Sequence, residues 1–400
     1  MTRLHLTRIS NCRGGARPGP MTRTDSEDMD RLTSILIEDA TIASLLRLEH
    51  YLDIHQGHEH VSYVDHIRMR RREKTIQAQA FKLIYLDTNA WKCAADRRQG
   101  KELKTPEMER FADVLERAAS SGEFAFLIGA PNFFELDSMN DASTRNSLCE
   151  LVDQLSKGFC TLPYSDRMGT EIVHLEKNEQ DHVLEIEDFL CSPAELLGIP
   201  NVELREPLIG LVDEGTLNKA YYDAVSELPF SFQLQLAGNA PGEKWRNSNG
   251  IEELNTNKAL HQPEIANLIS GIFVELKGCI EAWCRENSLT ADPAMVVILA
   301  GRAIIHWKQY KSSTSLSTLK IISGLHGLMR FDSHRKYKSG DIADYMIAAS
   351  ALPVASAFFT DRKLVNYISD PRIRLDGIFS CDLVSGFGEM GDYLEVRMAT

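Results

Sequence analysis

The sequence predicts an α/β protein with a central parallel sheet, and three observations carry this prediction. Short apolar runs at residues 81–86 and 124–128 flank a helical stretch at about 106–119, which is the strand, helix, strand order of a right-handed crossover. A third apolar run lies at 355–361 and follows another helical stretch. Continuous apolar runs of this length are typical of strands that are buried on both faces of a parallel sheet.

The other elements near these runs are predicted from weaker patterns. The helix before the third run is expected to begin at Asp341 and to end near Leu352, because Pro353 cannot continue it. Two further short strands are expected at residues 158–162 and 377–381. These two complete the strands that the sequence predicts.

The pattern divides the chain into four segments. Residues 1–80 are predicted to be a tail followed by a helical extension, since apolar residues recur at helical spacing from about residue 27 to residue 60. Residues 81–165 and 336–400 are expected to form the two parts of one α/β domain. Residues 166–335 between them have a mainly helical pattern, which predicts a large helical insertion.

The composition is that of a globular protein with an acidic surface. The 400 residues are 43% hydrophobic, which is ample for a large core, and the formal net charge is -13. A protein this acidic does not hold nucleic acid by a general basic coat, so any nucleic-acid site has to be local. No apolar run approaches the roughly 20 residues that cross a bilayer, and the eight cysteines form no C-x-x-C pair. We therefore expect a cytoplasmic protein with reduced thiols and no membrane partner.

Acidic residues follow the predicted strands. Asp87 ends the first strand and Asp361 ends the third. Ligands of open parallel sheets bind outside the carboxyl ends of the strands, so these two acids are expected at one site. Asp341 and Asp344 are spaced i, i+3 on one helix face, although helix capping is an equally good interpretation of Asp341 alone. Converging carboxylates repel one another unless a cation neutralises them, and Mg²⁺ or Mn²⁺ is the natural partner of oxygen ligands.

Three segments and one acid carry a resemblance to a known family. Residues 83–89 read LIYLDTN, an apolar strand followed by Asp-Thr-Asn. Residues 344–352 read DYMIAASAL, and residues 358–364 read FFTDRKL. In their order and spacing, and with Glu135 after the second strand, these segments resemble the motifs of PIN domains.

The resemblance implies a three-layer α/β/α PIN-like fold and a metal-dependent nuclease. Such an enzyme, usually an endoribonuclease, hydrolyses phosphodiester bonds with Mg²⁺ or Mn²⁺ and leaves a 5′-phosphate. The implied catalytic residues and metal ligands are Asp87, Glu135, Asp344 and Asp361, with Asp341 as an auxiliary metal ligand. Supporting hydrogen bonds to these carboxylates are expected from Thr88, Asn89 and Thr360.

The resemblance covers only residues 81–137 and 341–368. The connection between these two parts is far longer than is usual in the family, which leaves Asp137 as an alternative to Glu135. The substrate also stays open, with RNA favoured over DNA as the nucleic-acid partner. A toxin, a defence nuclease and a processing enzyme all fit, and a toxin would add an inhibitory or regulatory protein partner.

Basic residues just before the second acidic segment are the candidates for substrate binding. A local patch of positive charge is what an acidic protein needs to hold phosphates. The candidates are Arg330, His334, Arg335, Lys336 and Lys338. A solvated loop is an equally good interpretation of this stretch.

Two other functions fit parts of the pattern. A haloacid dehalogenase-type phosphatase is the weaker one, because its chemistry needs a second Asp two residues after the nucleophile, where Asn89 stands. A non-catalytic PIN-fold scaffold or binding module is the other. Among the remaining motifs, the histidines of HQGHEH at 55–60 are interpreted as a polar loop, and the basic run RMRRREK at 68–74 as a solvated helix face.

Overall fold

The computed structural model of the chain contains a six-stranded sheet. The structure describes residues 48–139, 141–197, 213–238, 248 and 250–399. Among these residues the strands are β1 (Lys82–Leu86), β2 (Phe124–Gly129), β3 (Cys160–Thr161), β4 (Leu190–Cys191), β5 (Ala357–Thr360) and β6 (Asp382–Ser385). Their order across the sheet is β4-β3-β2-β1-β5-β6, and all neighbours are parallel except β3 and β4. The protein is therefore mixed α/β with a mostly parallel sheet.

Helices make up most of the described chain. The helices up to β3 are α1 (Leu48–His55), α2 (Tyr63–Ala78), α3 (Thr88–Arg98), α4 (Pro106–Ser121), α5 (Ala130–Asp137) and α6 (Ala142–Leu155). Those between β3 and β5 are α7 (Tyr164–Glu176), α8 (Pro193–Leu197), α9 (Glu214–Ser226), α10 (Phe230–Gly238), α11 (Ile251–His261), α12 (Leu268–Glu286), α13 (Pro293–Gln309), α14 (Ser317–Phe331) and α15 (Asp341–Ala351). The last two are α16 (Arg362–Ile368) and α17 (Phe387–Met398).

Strand β1 lies at the centre of the sheet and joins the two ends of the predicted α/β domain. Tyr85 is in register with Leu127 of β2 on one side and with Phe358 of β5 on the other. The strands predicted near residues 81–86, 124–128 and 355–361 are thus confirmed. They belong to one sheet, as expected, although most of the chain lies between the second and the third.

Alternate residues of β1 belong to two separate hydrophobic clusters. Leu83 and Tyr85 belong to one cluster, which also contains residues of α12 to α15. Ile84 and Leu86 belong to the other, which contains residues of α3, α4, α6 and α17. Because successive side chains of a strand point to opposite faces, helices cover both faces of the sheet. The helices of the 166–335 segment therefore share a core with the sheet.

The last strand lies later in the chain than the sequence predicts. The prediction was 377–381, whereas the strand is β6 and residues 375–377 form a 3-10 turn. Ile378 and Phe379 are buried in the same cluster as Tyr85 without being in a strand. The prediction was wrong because an apolar run reports burial and leaves the backbone conformation open.

The N-terminal helices, the cysteines and the lengths of the helices can also be compared with the expectations from the sequence. Helices α1 and α2 lie within the predicted extension, while the part of that pattern at residues 27–47 lies outside the described residues. The seven cysteines in the described part of the chain are all buried and free. Within that part, no helix combines the length and the apolar character that crossing a membrane requires.

Candidate functional site

The carboxyl ends of β1 and β5 bring two aspartates to the same edge of the sheet. Asp87 follows β1 as the N-cap of α3, and Asp361 follows β5 as the N-cap of α16. Because β1 and β5 are parallel neighbours, both helices begin at this edge. An aspartate is favoured at such a position, since its side chain accepts hydrogen bonds from the free N–H groups of the first helical turn. Both acids therefore help to form the local structure and are also candidate ligands.

Asp87 is buried, and its carboxylate is well supplied with donors. One oxygen, Oδ1, accepts from the backbone N–H groups of Asn89 (2.8 Å) and Ala90 (3.2 Å), and Oδ2 accepts from the Thr360 hydroxyl (3.1 Å). Burial nevertheless raises the pKa of Asp87 to about 6, and the charge of Asp361 adds to this rise. The hydrogen bonds lower the pKa but do not outweigh burial. A nearby cation would therefore stabilise the charged carboxylate.

The first turn of α15 contributes two more aspartates. The helix begins after Gly340, whose φ of 93° lies in the left-handed region that favours glycine. Asp341 is buried and Asp344 is half-buried. Burial raises the pKa of Asp344 to about 7, and repulsion from Asp361, Asp341 and Asp87 contributes to the rise in that order. Asp87, Asp341, Asp344 and Asp361 thus form one electrostatically coupled group, which we call the acid edge.

A lysine that the sequence analysis did not select lies within the acid edge. The Lys363 ammonium forms an ion pair with Oδ1 of Asp341 and lies 3.7 Å from Oδ2 of Asp344. The other oxygen of Asp341 accepts from the backbone N–H of Lys338 (2.8 Å). Asp341 therefore fixes the loop before α15, and the N-cap position belongs to Gly340. A lysine beside a helix start carries no signal in the sequence, which is why Lys363 was missed.

Glu135 lies on the helix that follows the neighbouring strand. It is half-buried in α5, which starts directly after β2 and packs against α15. Since β2 is parallel to β1, α5 begins at the same edge of the sheet as the helix capped by Asp87. The alternative acid, Asp137, ends the same helix, and its side chain lies outside what the structure describes.

Asn132 is a second residue that the sequence analysis missed. It is buried, and its Oδ1 accepts from the Tyr85 hydroxyl (2.6 Å) while its Nδ2 donates to Oγ1 of Thr88 (3.0 Å). Asn132 therefore ties the start of α5 to the end of β1. Of the three predicted supporting residues, Thr360 is the one whose side chain is seen to donate to a carboxylate. Thr88 bonds to Asn132 instead, and Asn89 offers its backbone N–H.

The acid edge combines oxygen donors with an excess of negative charge. Two of its four carboxylates, those of Asp341 and Asp344, lie near the ammonium of Lys363. Hard divalent ions such as Mg²⁺ and Mn²⁺ prefer oxygen ligands of this kind. Among the described residues, no three of the predicted acids bring carboxylate oxygens within 4.8 Å of one another. Carboxylate oxygens are nevertheless the donor set that such a cation prefers.

The predicted basic patch is divided between the core and the surface. Arg330 is only 5% exposed, forms an ion pair with Glu275 and donates to Oδ1 of Asn257 (2.7 Å). Its assignment to substrate binding was wrong, because its guanidinium is not at the surface. The other four candidates are exposed on the loop between α14 and α15, namely His334, Arg335, Lys336 and Lys338.

A second cluster of titratable side chains joins the N-terminal helices to α9. Asp223 lies on α9, His55 on α1, and His66 and Arg70 on α2. The Nε2 atoms of His55 and His66 lie 2.9 Å from different oxygens of Asp223, and Arg70 donates to both oxygens at 2.9 and 2.6 Å. Within the described ranges, His55, His66 and Asp223 are the group of potential metal ligands whose atoms lie within 4.8 Å of one another. We call these four residues the clasp.

The clasp is better suited to joining helices than to binding a metal. A carboxylate has about four acceptor positions, and the two imidazoles and the guanidinium occupy those of Asp223. A metal ion would have to displace Arg70 or share an oxygen with this cation, and the two positive charges would repel. The interpretation of residues 55–60 as a polar loop was therefore wrong for His55, which is buried, and residues 68–74 are not simply a solvated face.

Comparison of the chain with protein-family models, with curated proteins and with solved structures finds no match. An interpretation of the site therefore depends on its motifs and on the geometry of the acid edge.

Proposed function

We propose that this chain is a PIN-like, metal-dependent nuclease that cleaves RNA in preference to DNA. The observation that carries the proposal is the acid edge, where four aspartates from three separate segments meet beside the ends of parallel strands. Asp87 and Asp341 are buried, Asp344 is half-buried and Asp361 is exposed. Neighbouring carboxylates that are partly removed from water are costly unless a cation neutralises them, so such a cluster is expected where metal is bound. A three-layer α/β/α arrangement is part of the proposal and is supported by the helices on both faces of the sheet.

In this proposal the carboxylates hold the metal and the surrounding groups position the carboxylates. The proposed ligands are Asp87, Glu135, Asp344 and Asp361, with Asp341 as an auxiliary ligand. Thr360 and the N–H groups of the first turn of α3 fix the orientation of the Asp87 carboxylate. Bound Mg²⁺ or Mn²⁺ would supply Lewis-acid activation of the phosphodiester and a water of lowered pKa.

The exposed loop before α15 is proposed to hold the substrate. It carries His334, Arg335, Lys336 and Lys338 at the surface, and the backbone of Lys338 bonds to Asp341 of the acid edge. Positive charge at this place would attract phosphates to an otherwise acidic protein. The loop thus supplies the local nucleic-acid contact that the net charge of the whole chain does not.

Incubation of the purified full-length chain with total RNA and with single-stranded DNA tests the proposal. In the presence of Mn²⁺ or Mg²⁺ we expect RNA fragments with 5′-phosphate ends, and with chelator we expect intact RNA. Mapping of the cut ends then defines the sequence or structure that is cleaved. RNA that is bound but stays intact with either ion would favour the non-catalytic binding module, and release of phosphate from a small phosphate ester would favour the phosphatase.

A further inference from the structure

Lys363 lies in the first turn of α16 and reaches across to α15. Its ammonium pairs with Asp341 and lies 3.7 Å from Asp344, and its side chain is 46% exposed, whereas that of Asp341 is 2% exposed. The contact thus joins a buried carboxylate to a cation that stays partly in solvent. The position of this ammonium is notable because it faces two of the proposed metal ligands at once.

We propose that Lys363 is a built-in counter-ion that competes with the divalent metal for the acid edge. The inference rests on the proposed function in one respect, since it takes the same aspartates as the metal ligands. Without metal, the ammonium offsets part of the repulsion among the four carboxylates. An ammonium and a divalent cation repel each other, and the ammonium is on a flexible four-carbon stem that can withdraw into solvent. Lys363 therefore lowers metal affinity and stabilises the metal-free fold.

Calorimetric titration of the full-length chain with Mn²⁺ tests this inference in wild type, Lys363→Met, Lys363→Arg and a control, Lys308→Met. Lys308 is exposed near the end of α13 and lies outside the acid edge. We expect Lys363→Met to bind Mn²⁺ about two- to fivefold more tightly, the factor that corresponds to losing a partly exposed ion pair. We also expect it to melt at a lower temperature in chelator. Lys363→Arg keeps the charge and should stay close to wild type, as should Lys308→Met.

Each outcome separates the role of Lys363 from the proposed nuclease activity. Unchanged or weaker Mn²⁺ binding by Lys363→Met, in a variant that still melts cooperatively, overturns the inference. Tighter binding by this variant without any RNA cleavage by wild type supports the inference and rejects the nuclease. If wild type cleaves RNA and Lys363→Met binds Mn²⁺ with unchanged affinity, the nuclease is supported and the inference about Lys363 is rejected. If neither wild type nor Lys363→Met binds Mn²⁺, both proposals are rejected.

Discussion

At the scale of single residues, the charge of Asp344 is unfavourable for the metal-free fold but is required for the proposed metal binding. Burial and three neighbouring aspartates raise its pKa to about 7, and the ion pair with Lys363 offsets only part of this. A carboxylate that served stability alone would be expected near donors or cations that lower its pKa. Asp223 of the clasp is such a carboxylate, because the His66 imidazole and the Arg70 guanidinium hold its pKa well below the ordinary value despite its burial. The two acids are therefore expected to respond in opposite ways to loss of their charge.

The substitution Asp344→Asn is expected to abolish metal-dependent RNA cleavage and to leave the melting temperature in chelator level or higher. An amide keeps the shape of the side chain but removes an anionic metal ligand and one of the mutually repelling charges. Cleavage of a labelled RNA and thermal melting of the same preparations measure the two effects. The control Asp113→Asn removes an exposed carboxylate on α4 that pairs with Arg97 of α3, and it should change neither quantity appreciably.

Cleavage at the wild-type rate by Asp344→Asn would contradict the catalytic assignment of Asp344. If this variant also loses roughly 1 kcal/mol of stability, Asp344 acts as a helix cap or a surface pair.

The sequence could predict those site residues that follow a recognisable local pattern. Asp87, Asp344 and Asp361 lie in the motifs that resemble PIN domains, and the structure places them in one coupled group. Lys363 lies within the motif at 358–364, but its role and that of Asn132 could not be predicted in the same way, because they depend on contacts with residues in other segments. A sequence pattern carries no information about such partners.

At the scale of elements, helix α2 shows how a basic run becomes a tertiary contact. Arg70 binds Asp223 of α9, Arg71 pairs with Glu195 of α8, and the ammonium of Lys74 donates to the backbone oxygen of Gly158 (2.6 Å). The sequence predicts a charged helix. Which of its basic side chains form ion pairs and which remain in solvent is decided by segments that are distant in the chain. The same limit explains Arg330, whose partner Glu275 lies on α12.

The substitution Asp223→Asn is expected to destabilise the protein by roughly 1–3 kcal/mol, since it removes the charged acceptor of three buried or partly buried donors. The loss should stay below that of a fully buried ion pair, because Arg70 is partly exposed. Hydrogen exchange should rise in α1 and α2 and stay unchanged in β1, while metal-dependent RNA cleavage of the folded protein persists. The control Glu227→Gln changes an exposed carboxylate just after α9. Equal hydrogen exchange of α2 in Asp223→Asn and in Glu227→Gln would show that the clasp does not hold α1 and α2 in place.

At the scale of the whole molecule, the main parallel strands and the edge of the sheet where the candidate acids lie were predictable, whereas the packing of the 166–335 segment was not. Apolar runs located β1, β2 and β5, and the rule that ligands bind at strand ends located the acid edge. The amphipathic pattern of α14 did not reveal that it lies almost wholly inside the core that it shares with the sheet. Burial of a helix on all sides depends on neighbours that a single helix pattern does not identify.

This shared core has a consequence for the pH dependence of folding, through His326 of α14. His326 is buried, and its Nδ1 lies 2.9 Å from the Tyr337 hydroxyl. Burial lowers its pKa below the ordinary value of 6.5, and the charge of Arg330 acts in the same direction, while Glu275 and Asp341 oppose both. As the pH falls below 6.5, the unfolded chain therefore gains a proton that the folded chain does not accept. Stability from this residue is fully present above that pH and is lost as the pH falls toward the lowered pKa.

The substitution His326→Gln is therefore expected to make the free energy of unfolding less dependent on pH. Glutamine does not titrate and can still form a hydrogen bond with the Tyr337 hydroxyl. Repacking around the new side chain therefore changes mainly the absolute stability, whereas the loss of the titrating imidazole changes the slope of the free energy of unfolding against pH. Denaturant unfolding from about pH 7 to about pH 5 measures both quantities. Wild type should lose stability more steeply over this range than His326→Gln. The control His334→Gln, at an exposed position on the loop before α15, should follow wild type. Parallel pH profiles for wild type and His326→Gln would show that the buried imidazole takes up its proton equally well in the folded chain, and would contradict the prediction.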